Sequence, residues 1–254
     1  EWGQAIKPSD EQPSDRKYFA MDRDVVLQNL LNLFDRPSYM EIGVDKGYTF
    51  HKLKAETKVA IDPVFSFDVE SSRTDQNNKN CQYYQITSDD YFFTNRNAKK
   101  FDVIFIDGKH TFEQTLRDVI NSMEAISYEG IIVIDDVIPA SYAASLPDLE
   151  QSRTFWEVTA NPDGSWMGDV YKVIMFIAQF MPAYNYATVA ENHGQTLLWK
   201  QKRKLPEQSL KNIEAISRAS YADLMLNLSA MRIRPFADIF SEIIAAMPDR
   251  MQRI

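Results

Sequence analysis

The sequence predicts an open, doubly wound α/β sheet of seven strands, the last of them antiparallel, followed by a C-terminal helical appendage. Three observations predict it. Five short apolar runs alternate with segments that start or continue as helices. Two of those runs, Phe101 to Ile106 and Ile131 to Ile134, end in acid and enclose one helical stripe. A last pair of apolar runs flanks ENHG, where Asn and Gly favour a tight reversal.

In chain order, Asp22 is placed to cap a helix carrying Val25, Val26, Leu30, Leu31 and Leu33, stopped by Asp35, Arg36 and Pro37. Tyr39 to Ile42 reads as a buried strand. Gly43 and Gly47 follow, permitting a tight turn and close backbone approach, and Tyr48 or Thr49 opens the next helix. Lys58 to Ile61 is the second strand and ends at Asp62 and Pro63. Residues 64 to 81 show no core helix and read as a loop beside a ligand. Tyr83 to Ile86 is the third strand, with Ser88 either capping the helix of Tyr91, Phe92 and Phe93 or touching a ligand.

Phe101 to Ile106 is the fourth strand. Thr111 caps a helix whose stripe is Phe112, Leu116, Val119, Ile120, Met123 and Ile126. Ile131 to Ile134 is the fifth strand. Residues 137 to 168 read as a loop in which Phe155, Trp156 and Trp166 either wall a substrate or pack on the sheet. Asp169 to Phe180 is helical and Pro182 breaks it. Tyr184 to Val189 and Thr196 to Trp199 are the last two strands, with His193 a turn residue and His51 a helix-surface residue. Beyond Pro206, Leu210, Ile213, Ile216, Ala219 and Leu224 predict one helix, and Phe236 to Ile244 a second.

Composition narrows the function classes. Hydrophobic residues are 44% and charged residues 25% of 254, an ordinary globular balance. A formal net charge of -8 argues against a nucleic-acid partner. No apolar run approaches the ~20 residues of a membrane span. Cys81 is the only cysteine, so neither an internal disulfide nor a thiolate metal cluster is available. The opening EWGQAIKPSDEQPSDRK is polar, lacks an apolar signal core and reads as a trimmed or processed end; cytoplasmic residence is expected. The expected organisation is a lead-in over 1–20, the sheet domain over 21–204, and a helical cap or dimerisation segment over 205–254.

The chemistry concentrates where parallel strands end. A right-handed crossover places Asp107 beside Asp135 and Asp136 at the sheet edge where open α/β folds bind ligands. Close carboxylates repel, and a bound cation keeps them ionised; an all-oxygen set suits Mg²⁺. Of the neighbouring Lys109 and His110, His110 is the better proton acceptor, with an unperturbed pKa of about 6.5 against about 10.4. Asp62 lies about 20 residues beyond Gly43, the spacing of an acid that binds ribose hydroxyls. Glu41 is a candidate for the same cavity. Asp89 suits either a purine amine or a helix first turn.

These residues carry a resemblance. EIGVDKG at the first strand, AIDP at the second, SD at residues 88 and 89, FDVIFIDGKH and IVIDD together resemble the class I S-adenosylmethionine-dependent methyltransferases. Within that class the chain is similar, over about residues 38 to 200, to the metal-dependent small-molecule O-methyltransferases, which include macrolide-sugar and aminocoumarin-sugar enzymes. The resemblance implies a Rossmann-like sheet and methyl transfer to a hydroxyl of a small molecule, with a natural-product sugar favoured over a catechol. It implies S-adenosylmethionine surrounded by Glu41, Gly43, Lys46, Gly47, Thr49, Asp62, Ser88, Asp89 and Asp107, and Mg²⁺ on Asp107, Asp135 and Asp136. The general base falls at His110 in some relatives and at the position of Lys109 in others. Asp136 departs from relatives with Asn or Glu there while keeping an oxygen donor. Two rival readings are a metal-supported oxidoreductase or hydroxylase, and a noncatalytic assembly subunit using the terminal helices; the chain lacks the two-histidine, one-carboxylate signature of one iron class.

Overall fold

The computed structural model describes residues 21–74, 80–95, 100–160, 164–205 and 212–247. Its strands are β1 (Ser38–Ile42), β2 (Thr57–Ile61), β3 (Cys81–Tyr84), β4 (Phe101–Ile106), β5 (Ile126–Ile134), β6 (Asn185–Val189), β7 (Thr196–Trp199) and β8 (Ile233–Arg234). They form one sheet in the order β3-β2-β1-β4-β5-β7-β6-β8. β1 to β5 are parallel, and β7 runs antiparallel to both neighbours, β5 and β6. The predicted doubly wound sheet with a reversed seventh strand is therefore present. The eighth strand was not expected. It is two residues long, too short to show an alternating pattern, and pairs in parallel with Thr188 and Val189 of β6.

The helices are α1 (Arg23–Leu31), α2 (Tyr48–Lys52), α3 (Val69–Thr74), α4 (Ser88–Thr94), α5 (Phe112–Ala125), α6 (Leu149–Thr159), α7 (Tyr171–Phe180), α8 (Ile213–Ser217), α9 (Tyr221–Leu226) and α10 (Phe236–Ala245). Alternating side chains split the sheet's two faces. Met40, Ile42, Ile104, Ile106, Ile132 and Ile134 join a core with α4, α5, α7, α8 and α9. Tyr39, Val103, Phe105, Ile131 and Val133 join the opposite core with α1, α2 and α10.

Several local expectations shift. β3 starts at Cys81 rather than Tyr83, because pairing with Lys58 to Ile61 of β2 sets its register. α5 ends at Ala125, and Ile126, read as its last apolar position, begins β5. Ile120 is exposed, while Thr115, Asp118 and Ser122 are buried on the inner face. Thr111 occupies the cap position of α5 without capping; Asp169 Oδ1 accepts the Phe112 N–H at 2.7 Å instead. Thr87, not Ser88, caps α4. The segment 64–81 contains α3, with none of its residues buried. The 137–168 stretch contains α6, capped by Asp148. The helix expected across 210–224 is two, because Ser220 and Asp223 form a capping box that starts α9; Leu210 lies outside the described residues.

The C-terminal segment is built into the sheet domain. Ile216, Leu224 and Met231 enter one core layer, and Phe236, Ile239 and Ile243 the other. Its apolar stripes thus meet the chain's own sheet.

Candidate functional site

Backbone hydrogen bonds align the strand ends in a row. Gly43 N–H donates to Ile61 O at 2.9 Å, Asp107 N–H to Ile42 O at 2.8 Å, and Asp135 N–H to Ile106 O at 3.0 Å. Gly43 has φ +83, and a Cβ there would stand 2.0 Å from the Asp107 carbonyl oxygen, so only glycine lets these ends meet. Asp62 folds back on the glycine loop. Its Oδ2 accepts the N–H groups of Val44 and Asp45 at 2.7 and 2.9 Å, and its Oδ1 that of Val64 at 2.8 Å.

A cavity of about 620 Å³ opens on this edge, lined by Gly43, Asp62, Ser88, Asp89, Asp107 and Asp118 among others. Asp118 was missed by sequence reading, although an acid on the buried face of α5 was the signal. Burial pushes its carboxyl up to about 6, against hydrogen bonds from Ser88 and Gln114. Ser88 is buried, and Asp89 is exposed and ion-paired with Arg117 at 3.0 Å. Other expected cofactor residues stand elsewhere. Glu41 is buried within the sheet, accepting the Tyr39 O–H at 2.6 Å, and burial raises it to about 8. Lys46 is exposed, with its ammonium 6.0 Å from the Tyr48 ring centre. Gly47 forms a left-handed turn into α2, and Thr49 faces a different cavity.

Asp107 and Asp136, at the ends of β4 and β5, converge on His110, and Asp135 is linked to Asp107 through Arg23. His110 Nε2 lies 3.2 Å from Asp107 Oδ1 and 3.3 Å from Asp136 Oδ2, and Nδ1 lies 2.9 Å from the Trp166 carbonyl oxygen. Ligand atoms of Asp107, His110 and Asp136 fall within 4.8 Å of one another. Asp136 holds φ +59, a conformation uncommon for a non-glycine residue. Asp135 is 3% exposed, and neither carboxylate oxygen has a hydrogen-bond partner among the described residues. Arg23, the first residue of α1, brings Nη1 to 2.7 Å from Asp107 Oδ2 and 2.8 Å from Asp135 Oδ2, the second without hydrogen-bond geometry.

Electrostatics follow. Burial, then repulsion from Asp107 and Asp136, holds the Asp135 carboxyl well above its usual range, against the pull of Arg23. Asp136 rises to about 6 through burial and Asp107, opposed by His110, Arg23 and His193. Burial lowers His110, but the hydrogen bond to Asp107 and the charges of Asp136 and Asp107 outweigh it and lift the imidazole to about 9. Acids this crowded, with Asp135 buried among them, fit a hard divalent cation.

A second cavity, about 650 Å³, is lined by Arg23, Tyr48, Thr49, Asp135, His193 and Gln195, with others. Gln195 is 1% exposed and its Nε2 has no partner among the described residues. His193 sits in the β6–β7 turn, as read, yet faces this cavity. Of the three candidate wall aromatics, Trp166 reaches the site, with ring centres 4.9 Å from His110. Phe155 and Trp156 lie on α6, and Phe155 packs on Tyr142. Lys109 is exposed and lines the first cavity.

Residues 40–137 match a family model described as a methyltransferase domain. That stretch runs from β1 to just past Asp136 and contains both glycines, Asp62 and all three carboxylates. The match covers less than half of the chain. No curated protein matches the chain. Among solved structures, the O-methyltransferase TomG from Streptomyces achromogenes, in complex with SAM, is 16% identical with a TM-score of 0.46, covering 69% of this chain and 78% of that one. An O-methyltransferase from Bacillus cereus in complex with SAH is 15% identical with a TM-score of 0.43, covering 70% and 80%. These are distant likenesses and assign no residue here. No described helix is long and apolar enough to cross a membrane.

Proposed function

We propose that this chain, of which residues 40–137 match a methyltransferase-domain model, transfers the methyl group of S-adenosylmethionine to a hydroxyl oxygen of a small molecule, a sugar of a natural product, with Mg²⁺ at the carboxylate row. One observation carries the reading: the acids at the ends of β4 and β5 line two cavities, Asp107 the first and Asp135 the second. The first suits the donor. Asp89, Asp107 and Asp118 complement a sulfonium and an ammonium, and Asp62 retains lone pairs for ribose hydroxyls. The second suits the acceptor, because Thr49, Tyr48 and the unpartnered Gln195 Nε2 offer polar contacts to a hydroxylated ring.

Asp107, Asp135 and Asp136 would hold the cation, which when bound lowers the pKa of an acceptor hydroxyl. The acceptor oxygen attacks the methyl carbon in line, the carbon–sulfur bond breaks with its electron pair left on sulfur, and the hydroxyl proton goes to His110 Nε2. Nδ1–H donating to the Trp166 carbonyl aims Nε2 at the row. At about 9, His110 keeps its proton at neutral pH while the carboxylates are unshared, so it acts as base only once their charge is offset. Lys109 is the alternative base. The balance of acids supports exclusion of nucleic acid. Self-association is assigned to α9, where Met225 and Leu226 are exposed. Incubation with S-adenosylmethionine, Mg²⁺ and a panel of sugar-bearing metabolites and catechols, read by mass, should give one added methyl on a sugar; methylation of catechols alone would overturn the acceptor class, and no methylation of any the reaction.

A further inference from the structure

We infer that Arg23 is the built-in counter-cation of the carboxylate row, held between Asp107 and Asp135, two of the acids proposed to hold a divalent ion, so that ion and guanidinium would compete for these carboxylates. The inference rests on the metal reading proposed above. A single nitrogen, Nη1, makes both short approaches, 2.7 Å to Asp107 Oδ2 and 2.8 Å to Asp135 Oδ2. Arginine usually meets carboxylates through a two-pronged fork; here one atom bridges two acids, the geometry of a point charge. The Asp107 contact is a hydrogen bond, whereas neither oxygen of Asp135 has one among the described residues. Asp135 is thus neutralised by proximity and left open to a better ligand partner.

The position of Arg23 agrees. It is the first residue of α1, where a cation opposes the helix dipole, so the acids across the sheet edge hold it there rather than the helix. Its side chain is 37% exposed and lines the second cavity, which gives the guanidinium a route away from the row. Asp135 has 1% side-chain exposure and cannot follow it. Two cations packed against one pair of carboxylates repel, so binding of the ion releases the arginine.

The test is a Mn²⁺ titration by calorimetry on the full chain, with thermal unfolding in parallel. Arg23→Gln should bind Mn²⁺ at least about tenfold more tightly than the parent chain. Its melting temperature without metal should be lower, and Mn²⁺ should raise it by more than in the parent. If Arg23→Gln does not fold, Arg23→Lys keeps the charge at different reach and should bind more tightly by a smaller factor. Unchanged or weaker Mn²⁺ affinity in the variant that folds, including no binding by either protein, overturns the inference. A chain whose variant gains Mn²⁺ affinity but which methylates nothing leaves Arg23 as inferred and removes the proposed reaction.

Discussion

Gly168 stands directly on His110: with φ +60, a Cβ on Gly168 would lie 1.7 Å from the His110 carbonyl oxygen. Two residues before it, Trp166 receives the His110 Nδ1 hydrogen bond on its own carbonyl and lays its ring beside the imidazole. The loop ahead of α7 therefore sets the histidine's backbone and ring together. Gly168→Ala should destabilise the chain by more than about 1 kcal/mol, since an L-residue at that φ is strained and the backbone must part. Turnover should fall with it. An unchanged melting temperature would show that the loop yields freely.

His110→Ala should slow methyl transfer by about 10²-fold or more when chemistry limits the rate, with metal affinity spared. The check is single-turnover kinetics beside a metal titration. Parent-level turnover would remove His110 as base and bring Lys109 forward.

Asp135→Ala should abolish divalent-ion binding and leave affinity for S-adenosylhomocysteine nearly intact. Asp135 lines the acceptor-side cavity, whereas Gly43, Asp62 and Asp118 line the other. Loss of both affinities together would contradict the division of the two cavities.

Glu41 makes stability depend on pH in an unusual direction for an acid. Burial raises its pKa from an ordinary 4.5 to about 8, so the folded chain holds this proton more tightly than the unfolded chain. Its favourable contribution is complete below 4.5 and declines as pH rises through 8. Glu41→Gln removes the decline. The variant's melting temperature should therefore gain on the parent's from about pH 5 upward, most clearly above pH 8. Parallel melting curves across that range would show that Glu41 is not protonated in the fold.

A chain ending at Lys204 should lose cooperative unfolding. Tyr171 O–H donates to the Ala219 carbonyl at 3.1 Å, Lys172 Nζ to that of Ser217 at 2.9 Å, and Ile239 and Ile243 are fully buried. Removing α8 to α10 bares both faces of β6. A sharp melt of the shortened chain near the parent's temperature would count against this.

The pattern of residues along the chain was enough to determine the alternation of strands and helices, the reversed strand, and the placing of Asp107, Asp135 and Asp136 at the ends of adjacent parallel strands. Each follows from local periodicity plus the right-handed crossover, which leaves parallel strand ends side by side. Periodicity cannot reach further. Arg23 meets Asp107 across 84 residues, and Trp166 meets His110 across 56, with no spacing rule linking them. Glu41 read as an acid at a ligand edge and Asp118 was not singled out; only packing shows one sealed beside Tyr39 and the other turned into the cavity. Helix ends moved for the same reason: Asp169 supplies the cap expected of Thr111 because tertiary structure brings its carboxylate to the start of α5. The succession of strands and helices is written in neighbouring residues, whereas charge balance at a site depends on which distant side chains the finished fold brings within a few ångströms.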